Sequence, residues 1–116
     1  MKKAFNQTLA LLFLLSLSFL SVQAQQLKVT GGNLKVNNSS LVLKDMNLVN
    51  DGTFSSTDGN VVFAGTTTNT ISGTSSMIFD SLTVNKSSGE VQLEQDAMVA
   101  THLELQSDNL NLQANN

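Results

Sequence analysis

Pairs of aliphatic residues spaced by two return along this chain at a nearly constant step, and that recurrence narrows its possible folds more than any other feature. Leu41 and Leu43 are followed by Val61 and Phe63, then by Leu82 and Val84, then by Leu103 and Leu105, at intervals of about 20 to 21 residues. A spacing of two puts both members of a pair on one face of a strand. A second series, made of Ile71, Val91 with Leu93, and Leu110 with Leu112, keeps nearly the same step. Leu27 with Val29 and Leu34 with Val36 add two further pairs. Beyond the first 24 residues no window shows sustained apolar spacing of three and four. The best helical candidate, Glu94 to Leu105, contains Asp96, Val99 and Thr101 and reads as two strands.

Turn formers separate the pairs: Gly31-Gly32, Asn37 to Ser40, Asp51-Gly52, Asp58-Gly59-Asn60 and Ser87-Ser88-Gly89. Such clusters favour tight turns and left-handed backbone. A step near 20 is too short for a propeller blade or a pair of repeat helices. It suits one coil of a β-solenoid, in which two or three short strands are joined by turns and successive coils stack about 4.8 Å apart. The predicted fold is all-β, a short β-solenoid of about four coils. Inward Leu, Val, Ile and Phe form aliphatic columns, and outward Ser, Thr, Asn and Gln face water. The alternative is a β-sandwich, whose strands also recur every 8 to 12 residues. Against it, the chain has no Trp, Tyr or Pro, and only Phe54, Phe63 and Phe79 are available beyond the N-terminal segment.

That segment stands apart from the repeats. Lys2 and Lys3 precede an apolar run from Leu9 to Leu20, and Val22-Gln23-Ala24 ends it on small residues. This is the layout of a secretory signal peptide cleaved after Ala24. The run falls short of the roughly 20 residues that span a bilayer. Residues 1–24 are therefore assigned as a leader and residues 25–116 as the β-repeat domain, with no membrane span after cleavage.

Charge excludes several partner classes. The formal net charge is -3 and there is no Arg; beyond the leader the only basic residues are Lys28, Lys35, Lys44 and Lys86. Nucleic acid needs a cationic face, which is missing. Without Cys there is no disulfide and no lipid-anchored N-terminus. Stability must come from backbone pairing and stacking, or from neighbouring copies.

Candidate chemistry is thin. His102 is the sole histidine and has no second His or Cys to share a metal. Glu90, Glu94, Asp96 and Glu104 lie within one or two coils of each other. If Glu94 and Glu104 stacked on one face, they could flank a sugar bond or bind calcium; solvated faces and turns are the plainer account. No nucleophile elbow, phosphate loop or dinucleotide fingerprint occurs. No catalytic, cofactor-binding or metal residue is assigned, and no cofactor is expected.

The stretch Asn50 to Leu112 carries Asn50-Asp51-Gly52-Thr53-Phe54, Asp58-Gly59-Asn60-Val61-Val62-Phe63-Ala64-Gly65, Thr70-Ile71-Ser72-Gly73 and Phe79 to Lys86 in that order. It resembles the repeat region of large secreted cell-surface β-helix proteins of Bacteroidetes-type bacteria. There an "nxGtF…dGxVxFxGtxxqxIsGtxxxxFxxLtvxn" unit precedes further "VxLxxxxxVxxxLxL" strands. Val91-Gln92-Leu93 and Met98-Val99 through Leu105 match that continuation. The resemblance implies right-handed β-helix coils, export across the outer membrane and a C-terminal sorting domain for type IX secretion. This sequence stops at Asn109 to Asn116, where the family runs on. The expectation is a truncated or split version, or the N-terminal piece of a longer reading frame, with its last coil uncapped and open to edge-to-edge self-association.

The function expected from all this is an exported structural or adhesive-like cell-surface module without catalytic activity, secreted or on the outer surface. It would be periplasmic if a missing sorting domain blocks export. Its polar sheet faces would make weak contacts with polysaccharide or with host or cell-surface proteins. The alternatives are a fragment of a carbohydrate-active β-helix protein, or a non-functional remnant. The leader assignment predicts that N-terminal sequencing of the exported protein reads from Gln25. Retention of Met1 to Ala24 on the exported product would refute it.

Overall fold

The computed structural model describes residues 25–106 and 110–112. The leader assigned to residues 1–24, together with residues 107–109 and 113–116, lies outside the described residues. Nine strands follow one another: β1 (Gln25–Asn37), β2 (Ser40–Lys44), β3 (Met46–Thr57), β4 (Asn60–Gly65), β5 (Asn69–Gly73), β6 (Met77–Lys86), β7 (Val91–Leu93), β8 (Ala97–Leu105) and β9 (Leu110–Asn111). Every pairing among them is parallel. A sandwich is built from antiparallel sheets, so that alternative falls. The chain winds into a β-solenoid of about four coils.

Each coil lays a stretch of backbone on each of three faces. The first face takes the Gln25–Thr30 part of β1, the Met46–Asp51 part of β3, then β5, β7 and β9. The second takes Asn33–Asn37, Thr53–Thr57, Met77–Phe79 and Ala97–Val99. The third takes β2, β4, Ser81–Lys86 and His102–Leu105.

The columns required by the repeat are present. Leu41 pairs with Val61, Val61 with Leu82, and Leu82 with Leu103. Leu43, Phe63, Val84 and Leu105 form the column beside it. Leu48, Ile71 and Leu93 stack on the first face, and Phe54, Met77 and Ala97 on the second. Because the pairs alternate with outward residues, each coil buries its aliphatic set between the coils on either side. The Phe54 and Phe79 rings meet inside at 5.2 Å, tilted by 55°, a geometry that aromatic pairs favour.

The second repeat series also holds, since Ile71 pairs with Leu93 and Val91 with Leu110. In the coil before, the Val91 column is occupied by the buried polar residue Asn69.

Two expected turns and one expected break are continuous strand. β1 runs through Gly31-Gly32, β3 runs through Asp51-Gly52, and Ala97 to Leu105 is a single strand. At a solenoid corner the backbone bends but can still pair with the coil beneath, so the ladder survives the bend. The mismatch appears instead as a register shift. Thr30 and Asn33 face Asp51 and Thr53, and Phe79 and Ser81 face Val99 and His102. These are one-residue bulges of the kind that turn a strand. Gly52 is required by stacking: a Cβ there would come within 2.5 Å of the Gly32 carbonyl oxygen. The sharper corners use left-handed Asn and Asp, at Asn38 (φ 50), Asp45 (φ 55) and Asp58 (φ 50), the residue types that tolerate this backbone.

Equivalent positions in one column differ in burial. Leu82 is 4% exposed, whereas Leu103, a coil further on, is 44% exposed. Leu82→Ala is expected to cost about 2–5 kcal/mol, and Leu103→Ala less than half of that. Urea unfolding midpoints at unchanged slope measure both. Equal losses would mean that the column is not a continuous core.

Candidate functional site

The residues singled out for chemistry do not converge. His102 is exposed on the third face, paired with Ser81. Glu94 follows β7 at the end of the first face, while Glu104 lies on the third face opposite Thr83. The two do not stack. Asp96 is an exposed corner residue whose carbonyl accepts from the Met77 amide at 3.2 Å. Glu90 accepts from Gln92 Nε2 (2.7 Å) and Asn111 Nδ2 (3.1 Å). Those two bonds hold its carboxyl below the usual range. Among the described residues no three His, Cys, Asp or Glu side chains are grouped to hold a metal ion.

A groove forms elsewhere, at the corner where the second face turns into the third. It is an open depression of about 460 Å³ lined by Asn38, Ser39 and Ser40 from one coil, Asp58, Gly59 and Asn60 from the next, and Asp80 and Ser81 from the third. The pairing explains why they assemble. Ser40, Asn60 and Ser81 are register partners in successive strands, and the corner residues Asn38, Asp58 and Asp80 precede them. Backbone amides are used in closing the corner: Asn60 N donates to Ser39 O, and Ser81 N to Gly59 O. Asn60 Nδ2 also donates to Thr83 Oγ1 at 3.1 Å, which steadies its amide. Asp80 Oδ1 accepts from Thr101 Oγ1 at 2.6 Å, extending the polar column into the fourth coil. The groove therefore offers carboxylates, amides and hydroxyls, and Ser40, Asn60 and Ser81 follow one another at the strand spacing, about 4.8 Å. It has no aromatic platform, since Phe54, Phe63 and Phe79 are all buried.

A second polar cluster, between the third and first faces, ties coils together. Asp45 Oδ1 accepts from Thr66 N (2.7 Å), Thr67 N (3.0 Å) and Thr67 Oγ1 (3.1 Å), all in the following coil. The two threonine amides hold its carboxyl below the ordinary value. Lys86 is buried beside this corner, and its Nζ donates to Asn69 Oδ1 (2.7 Å) and Ala64 O (3.0 Å). Burial lowers its pKa, and the Asp45 carboxylate partly offsets that. Asn69 Nδ2 reaches back to Asn47 Oδ1 at 3.3 Å. On the first face, the fully buried Asn50 donates to Ser75 O and Ser76 O and accepts from Gly52 N. Buried polar groups must be hydrogen-bonded, and among the described residues no buried side-chain nitrogen or oxygen lacks a partner.

The groove and the Lys86 cluster are not legible as sites in the sequence. Asn38 and Asp58 read as turn residues, Asp80 as part of the Phe79 to Lys86 repeat motif, and Lys86 as one of four basic residues beyond the leader. The available signal was the coil step itself, which brings residues about one coil apart into line. No family model, curated protein or solved structure matches the chain. Among the described residues, no helix is long and apolar enough to cross a membrane.

The Asp45 carboxyl titrates below its usual 3.8, so between those two values the native state binds fewer protons than the unfolded chain. Its stabilising contribution is complete above the unfolded pKa and is lost as pH falls through the lowered folded value. Asp45→Asn is expected to flatten the acid limb of a stability–pH profile measured by thermal unfolding. Asp51 and Glu90, lowered in the same direction, keep some slope. An unchanged acid limb would mean that the Asp45 bonds contribute nothing.

Proposed function

We propose that this chain is an exported structural or adhesive repeat module of the cell surface, which presents polar sheet faces for weak glycan or protein contacts and catalyses no reaction. The observation that carries the reading is the corner groove, where Ser40, Asn60 and Ser81 from successive coils are in register and Asn38, Asp58 and Asp80 line the same opening. Stacked repeats of this kind build extended binding surfaces from many weak contacts. The signal-peptide layout and the resemblance of the repeats to secreted cell-surface β-helix proteins support secretion or display on the outer surface. Self-association belongs to the same reading. Among the described residues β2 pairs only with β4 and the His102–Leu105 part of β8 only with β6, and unpaired strand edges recruit further strands.

A second reading, a fragment of a carbohydrate-active enzyme, is favoured by one feature: Asp58 and Asp80 share the groove, and paired carboxylates cleave glycosidic bonds. It would show as sugar release from a polysaccharide panel, abolished by Asp58→Ala.

The adhesive reading predicts that the purified chain binds immobilised polysaccharide or cell-surface protein, and that deleting its gene reduces attachment. No binding across such arrays, with attachment unaffected by the deletion, would reject it.

A further inference from the structure

Lys28, Lys35 and Lys44 are exposed, as lysines ordinarily are. Lys86 is not: it is 2% exposed, and so is Asn69, the residue it faces. Lys86 Nζ donates to Asn69 Oδ1 at 2.7 Å, in a contact that is itself buried. A carbonyl bond is about 1.23 Å long, so Asn69 Cγ lies no more than about 3.9 Å from that nitrogen. Atoms poised to react sit about 3–3.5 Å apart. A small turn of the lysine end therefore carries its nitrogen from the carbonyl oxygen to the carbonyl carbon.

The surroundings hold the amide for such an attack. Asn69 Nδ2 donates to Asn47 Oδ1 at 3.3 Å, and the Thr70 amide donates to the same oxygen at 3.0 Å. The nitrogen of the carboxamide is thus engaged by Asn47, and its carbonyl is turned to the amine. Thr67 Oγ1 stands 3.1 Å from Asp45 Oδ1 and 3.4 Å from Asn69 Oδ1. Its single hydroxyl hydrogen serves either acceptor, and negative charge growing on Asn69 Oδ1 would draw it there. Burial favours the uncharged amine of Lys86 against the opposing pull of the Asp45 carboxylate. The uncharged amine is the nucleophilic form.

We infer that Lys86 and Asn69 become joined by an isopeptide bond that the protein forms on itself. The amine nitrogen attacks Cγ, and the carbonyl π pair moves onto Oδ1, where the Thr67 hydroxyl meets it. The pair returns as the Cγ–Nδ2 bond breaks, and Nδ2 leaves as ammonia with the proton that Nζ gives up. One C–N bond forms and one breaks, nothing is oxidised or reduced, and no co-reactant is needed. Asn69 opens β5 on the first face and Lys86 closes β6 on the third. The two are 17 residues apart, so the bond closes most of one coil into a covalent ring. Exported small domains gain such bracing from disulfides, which a chain without Cys cannot form. The inference goes beyond the adhesive reading and does not depend on what the surface binds.

The test is mass spectrometry of the full chain after denaturation and trypsin digestion. Trypsin cuts after lysine, and an acylated Lys86 resists it. The expected product runs uncut from Asp45 to Asn116 and is about 17 Da lighter than its sequence, the mass of the ammonia lost. Reading the loss on this peptide separates it from ammonia lost by a cyclised N-terminal Gln. A succinimide at Asn69 would lose the same mass but leave Lys86 open to trypsin. Lys86→Arg, which keeps the charge, and Asn69→Ala are each expected to restore full mass. Thr67→Val is expected to leave part of the chain without the bond, and Thr67→Ser to recover it; equal cross-linking in both would remove the hydroxyl from the reaction. A wild-type chain of full mass, cut after Lys86, overturns the inference whether or not the variants fold. So does a mass loss that persists on this peptide in Lys86→Arg. Either result leaves the adhesive reading untouched, and failure of the chain to bind any surface leaves the cross-link untouched.

Discussion

Parallel backbone pairing in one register, held from coil to coil, is the constraint on which everything else in this molecule depends. Once Leu41 pairs with Val61 and Val61 with Leu82, every other side chain on that strand is assigned to a face. A slip by one residue would turn the buried column outward and the polar column inward. The hydrophobic pattern and the hydrogen-bond ladder therefore enforce each other. This mutual support suits a small domain without Cys, in which no disulfide can hold the coils.

The same register that builds the dry interior builds the polar surface features. A column is a column whatever side chain occupies it, so the aliphatic residues facing in and the polar Ser40, Asn60 and Ser81 repeat at the same step. The interior tolerates polar members only where a neighbouring coil satisfies them. Asn50 bonds the loop carbonyls of Ser75 and Ser76, and Lys86 reaches Asn69 and Ala64. These bonds span about one coil, so they pin one turn of the solenoid to another. An unsatisfied partner at such a place costs about 1–3 kcal/mol, which makes these contacts selective for the native register.

Corners obey a different logic from faces. Where a corner keeps its pairing with the coil below, as at Gly31-Gly32 or Ala100-Thr101, the strand continues and an extra residue bulges. Where it turns sharply, left-handed Asn38, Asp45 and Asp58 supply the bend, and their short polar side chains remain available for other bonds. Asp45 spends its carboxylate on the next coil, whereas Asp58 lines the open groove. Similar left-handed backbone thus carries a structural staple at one corner and lines an open groove at another. The difference lies in which residues the following coil brings alongside.

The sequence by itself determined the fold class, the coil length and the columns of Leu, Val, Ile and Phe, because a period of two within strands and a period near 20 between them are both local, countable patterns. Tertiary structure alone decided that Gly31-Gly32 and Asp51-Gly52 are bends within strands, that Lys86 is buried, and that Asn38, Asp58 and Asp80 share one groove. Those outcomes depend on small departures from the mean step, one residue more or less per corner, which set what lies beside what in the neighbouring coil. An average period read from the chain does not contain them; the stacking of each coil on the last does.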